Sequence, residues 1–387
     1  MKKIGILTFY HKNYNFGGLL QAYALPTALQ KYFEFSAEQI DYNYTPTIAQ
    51  KDHLGKQPFH VQAFLYNCGI GLFSLLTKPG LSKRKKIMDA FIDEIPHSSQ
   101  TYLYDSIKNC LYDYDIYICG GDQIWNDDCQ SAIGQKNMQV FTLQFVPSSK
   151  LKLSYAPSMA VLSVSTAYQK LLKKSLSTFH AVSIREKRSL PIIQQFTAKN
   201  VQTVVDPVLL LTKEDWEAMA RAAHSPKKYI LCYLLGDNTR QRKAVTQLSK
   251  RLRLPIVTFS HIHCNVVRKC DLFFGDTHDY TSGPHEFVDL IKNADLVITD
   301  SFHACVFSMI FESSFLVFER HEANEAGNMN SRIYDFLEEY HFQKQLVTEI
   351  QMDSITNIPS VDFSYAHAHW DKRRQESLIY LHSALKS

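Results

Sequence analysis

The chain has 387 residues, of which 45% are hydrophobic and 21% charged, so it is long enough for two domains and too apolar to be disordered. Its formal net charge of +4 is too weak to indicate a nucleic-acid partner and fits an anionic small substrate or an anionic membrane surface. No run reaches the roughly 20 consecutive apolar residues of a membrane-spanning helix, and the chain opens on a strand pattern without a signal peptide.

The first half of the chain alternates strand and helix patterns without an internal repeat. Lys3–Tyr10 predicts a buried strand, and Gly18–Phe33 predicts the helix that follows it. Further strands are predicted at residues 39–42, 115–120, 152–155, 181–185 and 201–205. This alternation is typical of βα units that build a parallel sheet.

A linker at Ser225–Lys228 precedes a second series of the same kind. Its strands are predicted at residues 229–235, 255–259, 271–274, 295–299 and 314–318. The two series predict an α/β fold with two Rossmann-like domains that face a cleft, residues 1–224 and residues 225–345. The tail, residues 346–387, has a helical pattern from about Asp362, and we expect it to pack back on the first domain.

Residues 57–92 interrupt the alternation. They combine apolar side chains such as Phe64, Phe73 and Leu76 with the basic run Lys83–Lys86. One interpretation is a surface helix pair that closes the first domain. The other is an interfacial helix on an anionic membrane, because an apolar face can enter the lipid chains while flanking basic residues contact the anionic headgroups.

The segment around His303 is the most informative part of the chain. Thr299, Asp300 and Ser301 are helix N-cap types that follow an apolar strand pattern, and an apolar helix pattern comes next. His303 is therefore predicted in the first turn of a helix at the carboxyl edge of a sheet, with Ser301 beside it. Open α/β folds bind ligands at that edge, and helix N-termini favour anions. The alternative is a histidine with a purely structural role.

Two glycine-containing turns follow predicted strands. The first contains Asn15, Gly17 and Gly18, where glycine permits close backbone approach and helix amides can meet a polar ligand. It does not match the dinucleotide-binding pattern G-x-G-x-x-G.

The second turn contains Gly121, Asp122, Gln123, Trp125 and Asn126. Carboxylate and amide groups beside an aromatic ring are typical of sugar sites. The alternative is a capped loop in which Trp125 fills the core.

Three arginines also follow predicted strands or begin a predicted helix. Arg185 and Arg320 follow strands, and Arg332 lies at the start of a helix. The guanidinium fork suits a carboxylate or phosphate; the alternative for Arg185 is an ion pair with a neighbouring acid, and each of the three could also be a solvated surface charge. Together with His303, they predict an anion pocket built from both domains.

Metal and redox chemistry have little support in the sequence. His261, His263 and Cys264 lie close together, but a second ligand cluster is missing, so we expect no metal. The eight cysteines form no C-x-x-C pair and are expected to be free thiols of a cytoplasmic protein. We expect no cofactor.

These segments, taken in order, resemble the polysaccharide pyruvyltransferase family over nearly the whole chain. The matching segments begin at Ile4 (IGILTF), Asn15 (NFGGLLQA), Gly120 (GGDQIWN), Ser154 (SYA), Ser183 (SIREK), Val205 (VDP), Pro284 (PHEF), Thr299 (TDSFH) and Asn330 (NSRI). The resemblance implies a two-domain fold of the glycosyltransferase-B (GT-B) type. It also implies transfer of the pyruvyl group of phosphoenolpyruvate onto a sugar as a ketal, with phosphate release.

The resemblance places Arg185 and His303 at the family's phosphoenolpyruvate-binding arginine and histidine, and Arg332 at a further cation. His303 is expected to neutralise the phosphate or act as a general acid, since an imidazole titrates in the working pH range. Asp122 is the candidate for steering or deprotonating the attacking hydroxyl. Arg320 is expected to contribute to anion binding.

We expect the acceptor to be a galactose- or mannose-type residue of a polyprenyl-linked oligosaccharide for a capsule or exopolysaccharide. Such an acceptor places the protein in the cytoplasm, at the inner face of the plasma membrane. Two alternatives stay open: a GT-B glycosyltransferase that uses a nucleotide sugar, and a non-catalytic two-domain binding protein.

Overall fold

The computed structural model describes residues 2–44, 61–161, 163–259, 268–320, 330–348, 351 and 358–386, with side chains from residue 77 onward in the helix Val61–Glu94. Two parallel sheets, each with its own helices, form the framework. The proposed metal-ligand cluster of His261, His263 and Cys264 lies outside the described residues.

The first unit contains strands β1 to β6 and helices α1 to α7. The strands are β1 (Lys3–Leu7), β2 (Ser36–Gln39), β3 (Ile116–Gly120), β4 (Leu151–Tyr155), β5 (Val182–Ile184) and β6 (Val201–Thr203). The helices are α1 (Phe16–Phe33), α2 (Val61–Glu94), α3 (Asp127–Ile133), α4 (Gln135–Phe141), α5 (Thr166–Leu176), α6 (Leu190–Gln194) and α7 (Lys213–Met219).

The first sheet has the strand order β2-β1-β3-β4, all parallel, and a bridge from Leu153 to Ala181 leads on to the pair β5-β6. Strand β3 is buried along its whole length because helices cover both faces of the sheet. The strand order reverses between β1 and β3. Such a reversal opens a crevice at the carboxyl ends of the two strands, where α/β folds bind ligands.

The second unit contains strands β7 to β12 and helices α8 to α12. The strands are β7 (Ile230–Tyr233), β8 (Ile256–Phe259), β9 (Thr277–Asp279), β10 (Leu296–Thr299), β11 (Phe315–Phe318) and β12 (Leu346–Val347). The helices are α8 (Thr239–Leu252), α9 (Pro284–Lys292), α10 (Phe302–Phe311), α11 (Ser331–Glu339) and α12 (Phe363–Lys386).

The second sheet is also parallel, with the order β12-β11-β10-β7-β8-β9. Its order reverses between β7 and β10, so its crevice lies beside the start of α10. Two doubly wound units of this kind confirm the predicted pair of Rossmann-like domains.

Two predicted strands are misplaced. The segment 271–274 is not a strand. It begins at the last residue of the 3-10 turn Lys269–Asp271, and β9 lies further along the chain. The cause is Asp271, whose carboxylate accepts hydrogen bonds from Arg242 (2.7 Å) and Arg268 (2.9 Å) and fixes a turn. Strand β2 ends at Gln39, where the predicted strand 39–42 begins, and isolated bridges join Gln39 to His97 and Tyr42 to Tyr102.

Helix α2 contradicts one of the two interpretations of residues 57–92. Residues 57–60 lie outside the described part, and Val61–Glu94 is one continuous helix, so the predicted helix pair is wrong. Arg84 is 1% exposed and donates a hydrogen bond to the carbonyl of Asp279 in the second domain. Its guanidinium lies 4.5 Å from the ring centroid of Phe259. The basic run is therefore split: Arg84 ties α2 to the second domain, while its lysines are exposed.

The last helix, α12, contacts the first domain. Trp370 Nε1 donates to the carbonyl of Leu209 (2.9 Å), and the Tyr380 hydroxyl donates to the carbonyl of Ser154 (2.8 Å). Among the described residues, no helix combines the length and apolar character needed to span a bilayer.

Candidate active site

The two domains meet where Gly17 touches His303. His303 lies in the first turn of α10, directly after β10, and is 4% exposed. A Cβ atom on Gly17 would lie 2.1 Å from His303 Nδ1, so glycine is required for this approach. The N-terminus of α1 in one domain therefore faces the N-terminus of α10 in the other. Both helix ends carry partial positive charge, which favours an anion between them.

Asp122 links the two domains beside this contact. It follows β3, and its Oδ1 accepts hydrogen bonds from Arg332 Nη1 (2.8 Å) and Arg185 Nη2 (3.1 Å). Arg332 is the second residue of α11, so this bond crosses the cleft. Since all three side chains are largely buried, these charge-assisted bonds hold the domains together.

Arg185 is the centre of a buried ion-pair network. Its Nη1 donates to Asp206 (2.5 Å), its Nε donates to Glu186 (3.1 Å), and its Cζ lies 4.4 Å from the ring centroid of Phe302. Burial alone would lower the pKa of this guanidinium, but Glu186, Asp206 and Asp122 outweigh burial and raise it. Arg185 is therefore held charged inside the protein.

His303 lies at ion-pair distance from the same network. Its Nε2 lies 3.6 Å from Asp206 Oδ2, too far for a hydrogen bond, and is buried without a hydrogen-bond partner among the described residues. Arg332 Nε is likewise buried without a hydrogen-bond partner among the described residues. Buried polar atoms are normally satisfied, so these two atoms indicate a place for a polar ligand.

The structure brings together three of the four predicted cations. Arg185, Arg332 and His303 share one cluster, whereas Arg320 Nη2 donates to the carbonyl of Asp300 (2.8 Å) and has no direct bond to that cluster. The acid Asp206 was not predicted as a site residue. Its position directly after the predicted strand 201–205, at a carboxyl end of the sheet, could have indicated it.

Space at the cluster is small. A cavity of about 30 Å³ lies beside Arg185 and Arg332, enough for a water molecule or two but not for a larger ligand. Across the same cleft, Arg188 Nε pairs with Asp335 (2.5 Å) and Ser331 Oγ donates to the carbonyl of Ala160 (2.9 Å). The cleft is closed at this point by contacts within the protein.

Asp122 is a weak base in this arrangement. Burial would raise the pKa of its carboxyl group, but Arg332, Arg185 and His303 outweigh burial and hold the pKa well below its usual range. A carboxylate that two guanidinium groups stabilise gives little driving force for proton abstraction. Of the two roles expected of Asp122, the geometry favours steering over deprotonation.

The remaining predicted residues lie in the turns around the cluster. Asn15 caps α1 by accepting from the Gly18 amide (3.1 Å), and Asn126 Nδ2 donates to Gln123 Oε1 (2.9 Å). The other two are Gly121, whose φ of +98° few residues other than glycine adopt, and Ser301, the buried N-cap residue of α10.

The role in sugar binding that the sequence suggested for Trp125 does not fit its position. The sequence suggested an aromatic platform for a sugar ring, but Trp125 is 0% exposed and packs edge-on against Phe179, with ring centroids 6.4 Å apart. The alternative, a ring that fills the core of the first domain, is what the structure contains. No group of three or more potential metal ligands occurs among the residues that the structure describes.

Residues 15–322 match the family model described as polysaccharide pyruvyl transferase. No curated protein matches the chain. Among solved structures, UDP-GlcNAc 2-epimerase from Methanocaldococcus jannaschii superposes with a TM-score of 0.55 at 12% identity, covering 98% of this chain and 99% of that chain.

The Neisseria meningitidis UDP-GlcNAc 2-epimerase bound to UDP-GlcNAc gives a TM-score of 0.50 at 12% identity, covering 98% of this chain and 100% of that chain. Identities this low show the fold alone, and that fold is the predicted GT-B type. The family match is independent of these structures and spans well over half of the sequence. The chain belongs to the polysaccharide pyruvyl transferase family.

Proposed function

We propose that the protein transfers the pyruvyl group of phosphoenolpyruvate onto a sugar, forms a pyruvate ketal and releases phosphate. The observation that carries this proposal is the cluster of Arg185, Arg332 and His303 between the N-termini of α1 and α10. Phosphoenolpyruvate has a phosphate and a carboxylate, and both suit guanidinium groups and helix N-termini.

Donor binding to Arg332 and Arg185 requires these side chains to release Asp122, because both guanidinium groups already donate to its carboxylate. When the domains separate, the donor's anionic groups take the place of Asp122 on Arg332 and Arg185. Hinge opening of this kind is common in two-domain enzymes. Arg185 stays anchored by Asp206 and Glu186.

The chemistry begins with a proton added to the methylene carbon, which makes the neighbouring carbon electrophilic. One sugar hydroxyl adds there and loses its proton; the carbon–oxygen bond to phosphate then breaks, and phosphate leaves with the electron pair. A second hydroxyl adds to the same carbon and closes the ring. Of the two hydroxyl protons, one balances the proton on the new methyl group and the other leaves with phosphate. His303 Nε2 neutralises the phosphate or protonates it as it leaves.

Ligand-dependent stabilisation tests the donor. Phosphoenolpyruvate at a hundred times its Kd should stabilise the protein by about 2.7 kcal/mol, while UDP-GlcNAc should not stabilise it. Stabilisation by UDP-GlcNAc alone would instead support a nucleotide-sugar transferase.

Two variants probe the cluster. His303→Ala should lose most of the stabilisation by phosphoenolpyruvate, while His224→Gln on an exposed loop serves as the matched control. Arg185→Lys is preferable to alanine because it keeps a charge for the buried acids and loses only the fork. Full donor binding by both cluster variants would contradict the donor site.

For the acceptor, we propose a galactose- or mannose-type residue of a polyprenyl-linked oligosaccharide at the inner face of the plasma membrane. Lys83 and Lys86 on α2 are exposed, and each contributes about 1 kcal/mol of attraction near an anionic leaflet. The double variant Lys83→Gln/Lys86→Gln should bind phosphatidylglycerol vesicles less well at low salt, whereas Arg84 is left intact for its buried contact. Wild-type protein that ignores these vesicles would contradict membrane contact.

A further inference from the structure

A second and larger cavity lies in the first domain. It has a volume of about 360 Å³ and is bounded by the turn after β1, the end of β2 and the second half of α2. The side chains that matter below are Tyr10, His11, Tyr14, Asp41, Lys85 and Asp89. A volume of this size suits a ligand such as a monosaccharide unit.

His11 and Asp41 form a dyad in the wall of this cavity. His11 Nδ1 lies 2.6 Å from Asp41 Oδ1, and Asp41 Oδ2 accepts a hydrogen bond from the Thr101 hydroxyl. Burial would raise the pKa of Asp41, but the bonds from His11 and Thr101 outweigh burial and lower it. His11 Nε2 is buried and has no hydrogen-bond partner among the described residues. A carboxylate that fixes one ring nitrogen leaves the other as a proton acceptor.

The rest of the wall is aromatic and charged. The Tyr14 hydroxyl donates to Asp89 (2.9 Å), and Lys85 Nζ donates to the same carboxylate (2.7 Å) while lying 5.0 Å from the Tyr14 ring centroid. The Tyr10 hydroxyl is buried, and burial together with the neighbouring Asp41 carboxylate raises its pKa. Aromatic rings beside carboxylates and a lysine are suited to a ring of hydroxyl groups.

This cavity lies close to the donor site. His11 and Asp41 follow the adjacent parallel strands β1 and β2, so they share the carboxyl edge of the sheet with Asp122. Tyr14 is three residues from Gly17, which limits the distance between their Cα atoms to about 11 Å. Gly17 in turn touches His303.

We propose that this cavity holds the acceptor sugar and that His11 Nε2 accepts the proton of the attacking hydroxyl, with Asp41 as its positioning residue. This inference rests on the proposed function. The hydroxyl oxygen forms its bond to the carbon that bears the phosphate, and its proton moves to Nε2. The electron pair that the carbon–phosphate oxygen bond later releases leaves with phosphate, which His303 neutralises or protonates, and the His11 imidazolium returns its proton to solvent.

The proposal is tested first without any donor. Diethyl pyrocarbonate should react slowly with the His11 side chain, which is 13% exposed, and mass analysis of the peptide gives the rate. Para-nitrophenyl β-galactoside or β-mannoside should slow modification of His11 but not of the exposed His224. Protection by neither glycoside overturns the assignment. Protection in a protein that ignores phosphoenolpyruvate would leave the acceptor cavity standing and remove only the proposed donor.

The second test is kinetic and uses the glycoside that protects. His11→Gln should lower kcat by about 100-fold or more while the Kd of phosphoenolpyruvate stays unchanged, and His224→Gln should be neutral. Asp41→Asn keeps an acceptor for the Nδ1 hydrogen, so it should lower kcat more than it raises the glycoside KM. A folded His11→Gln protein with wild-type kcat overturns the role of His11.

Discussion

Gly17→Ala is the sharpest perturbation of the contact between the domains. The new Cβ atom would lie 2.1 Å from His303 Nδ1 and 2.4 Å from its Cγ. Carbon atoms pack at about 3.5–4.0 Å, so the imidazole has to retreat by about 1.5 Å. A catalytic group misplaced by about 1 Å costs on the order of 100-fold in rate. We therefore expect kcat/KM for phosphoenolpyruvate to fall about 100-fold, which is about 2.7 kcal/mol in the activation free energy.

The assay pairs this rate with a double-mutant cycle of stability. Overpacking should cost Gly17→Ala about 1–3 kcal/mol in urea unfolding. The same substitution in a His303→Ala background should cost less, because the two ring atoms nearest to the new Cβ are gone and the His303 Cβ, 2.9 Å away, is the contact that stays. Gly18→Ala is the matched control, since the atom nearest to its Cβ would be the terminal amide nitrogen of Asn13 (2.7 Å) and none of the three nearest atoms belongs to His303. Equal destabilisation in both backgrounds, or an unchanged kcat/KM, would refute the reasoning.

Three further predictions concern the buried charges. Arg84→Met should destabilise the protein by about 1.5–3 kcal/mol, because it removes the buried charged donor to the Asp279 carbonyl while Thr281 and Ser282 still donate to the Asp279 carboxylate, and a urea titration that finds less than about 1 kcal/mol would contradict this. Asp122→Asn should tighten phosphoenolpyruvate binding several-fold by calorimetry, since it removes a competing charge; weaker binding would place Asp122 elsewhere. The pKa values of Asp122 and Asp206 are lowered by folding, so their stabilisation is complete above the unfolded value of about 3.9 and is lost on further acidification. The free energy of unfolding, measured across acid and alkaline pH, should therefore decrease at the acid end. A decrease at alkaline pH with none at acid pH would contradict the lowered pKa values.

The sequence predicts most of the fold because its signals are local. Apolar runs followed by N-cap residues locate β10 and α10, and with them His303, from a dozen consecutive residues. The prediction fails at residues 271–274, where the apolar run is short and Asp271 folds the chain into a turn. Local apolar patterns cannot predict a contact that a single carboxylate makes with arginines elsewhere in the chain.

The site was predicted only in part, because local patterns do not show which distant residues meet. The cations were identified because each follows a strand or begins a helix, whereas their acidic partners depend on how the two domains meet. Asp122 and Arg332 lie 210 residues apart, and Arg84 and Asp279 lie 195 residues apart. The basic run itself therefore gives no sign that one of its members, Arg84, is buried in an ion pair. Pairings across such separations follow from tertiary structure, and no residue spacing predicts them.

The most direct test of the account is the mass of the product that the wild-type protein makes from phosphoenolpyruvate and an aryl galactoside or mannoside. We predict a glycoside heavier by pyruvic acid less one water, formed together with an equal amount of phosphate. In deuterated water, the new methyl group should carry one deuterium from solvent, and His303→Ala should form no product. A glycosylated product made from a nucleotide sugar, with none made from phosphoenolpyruvate, would contradict the account.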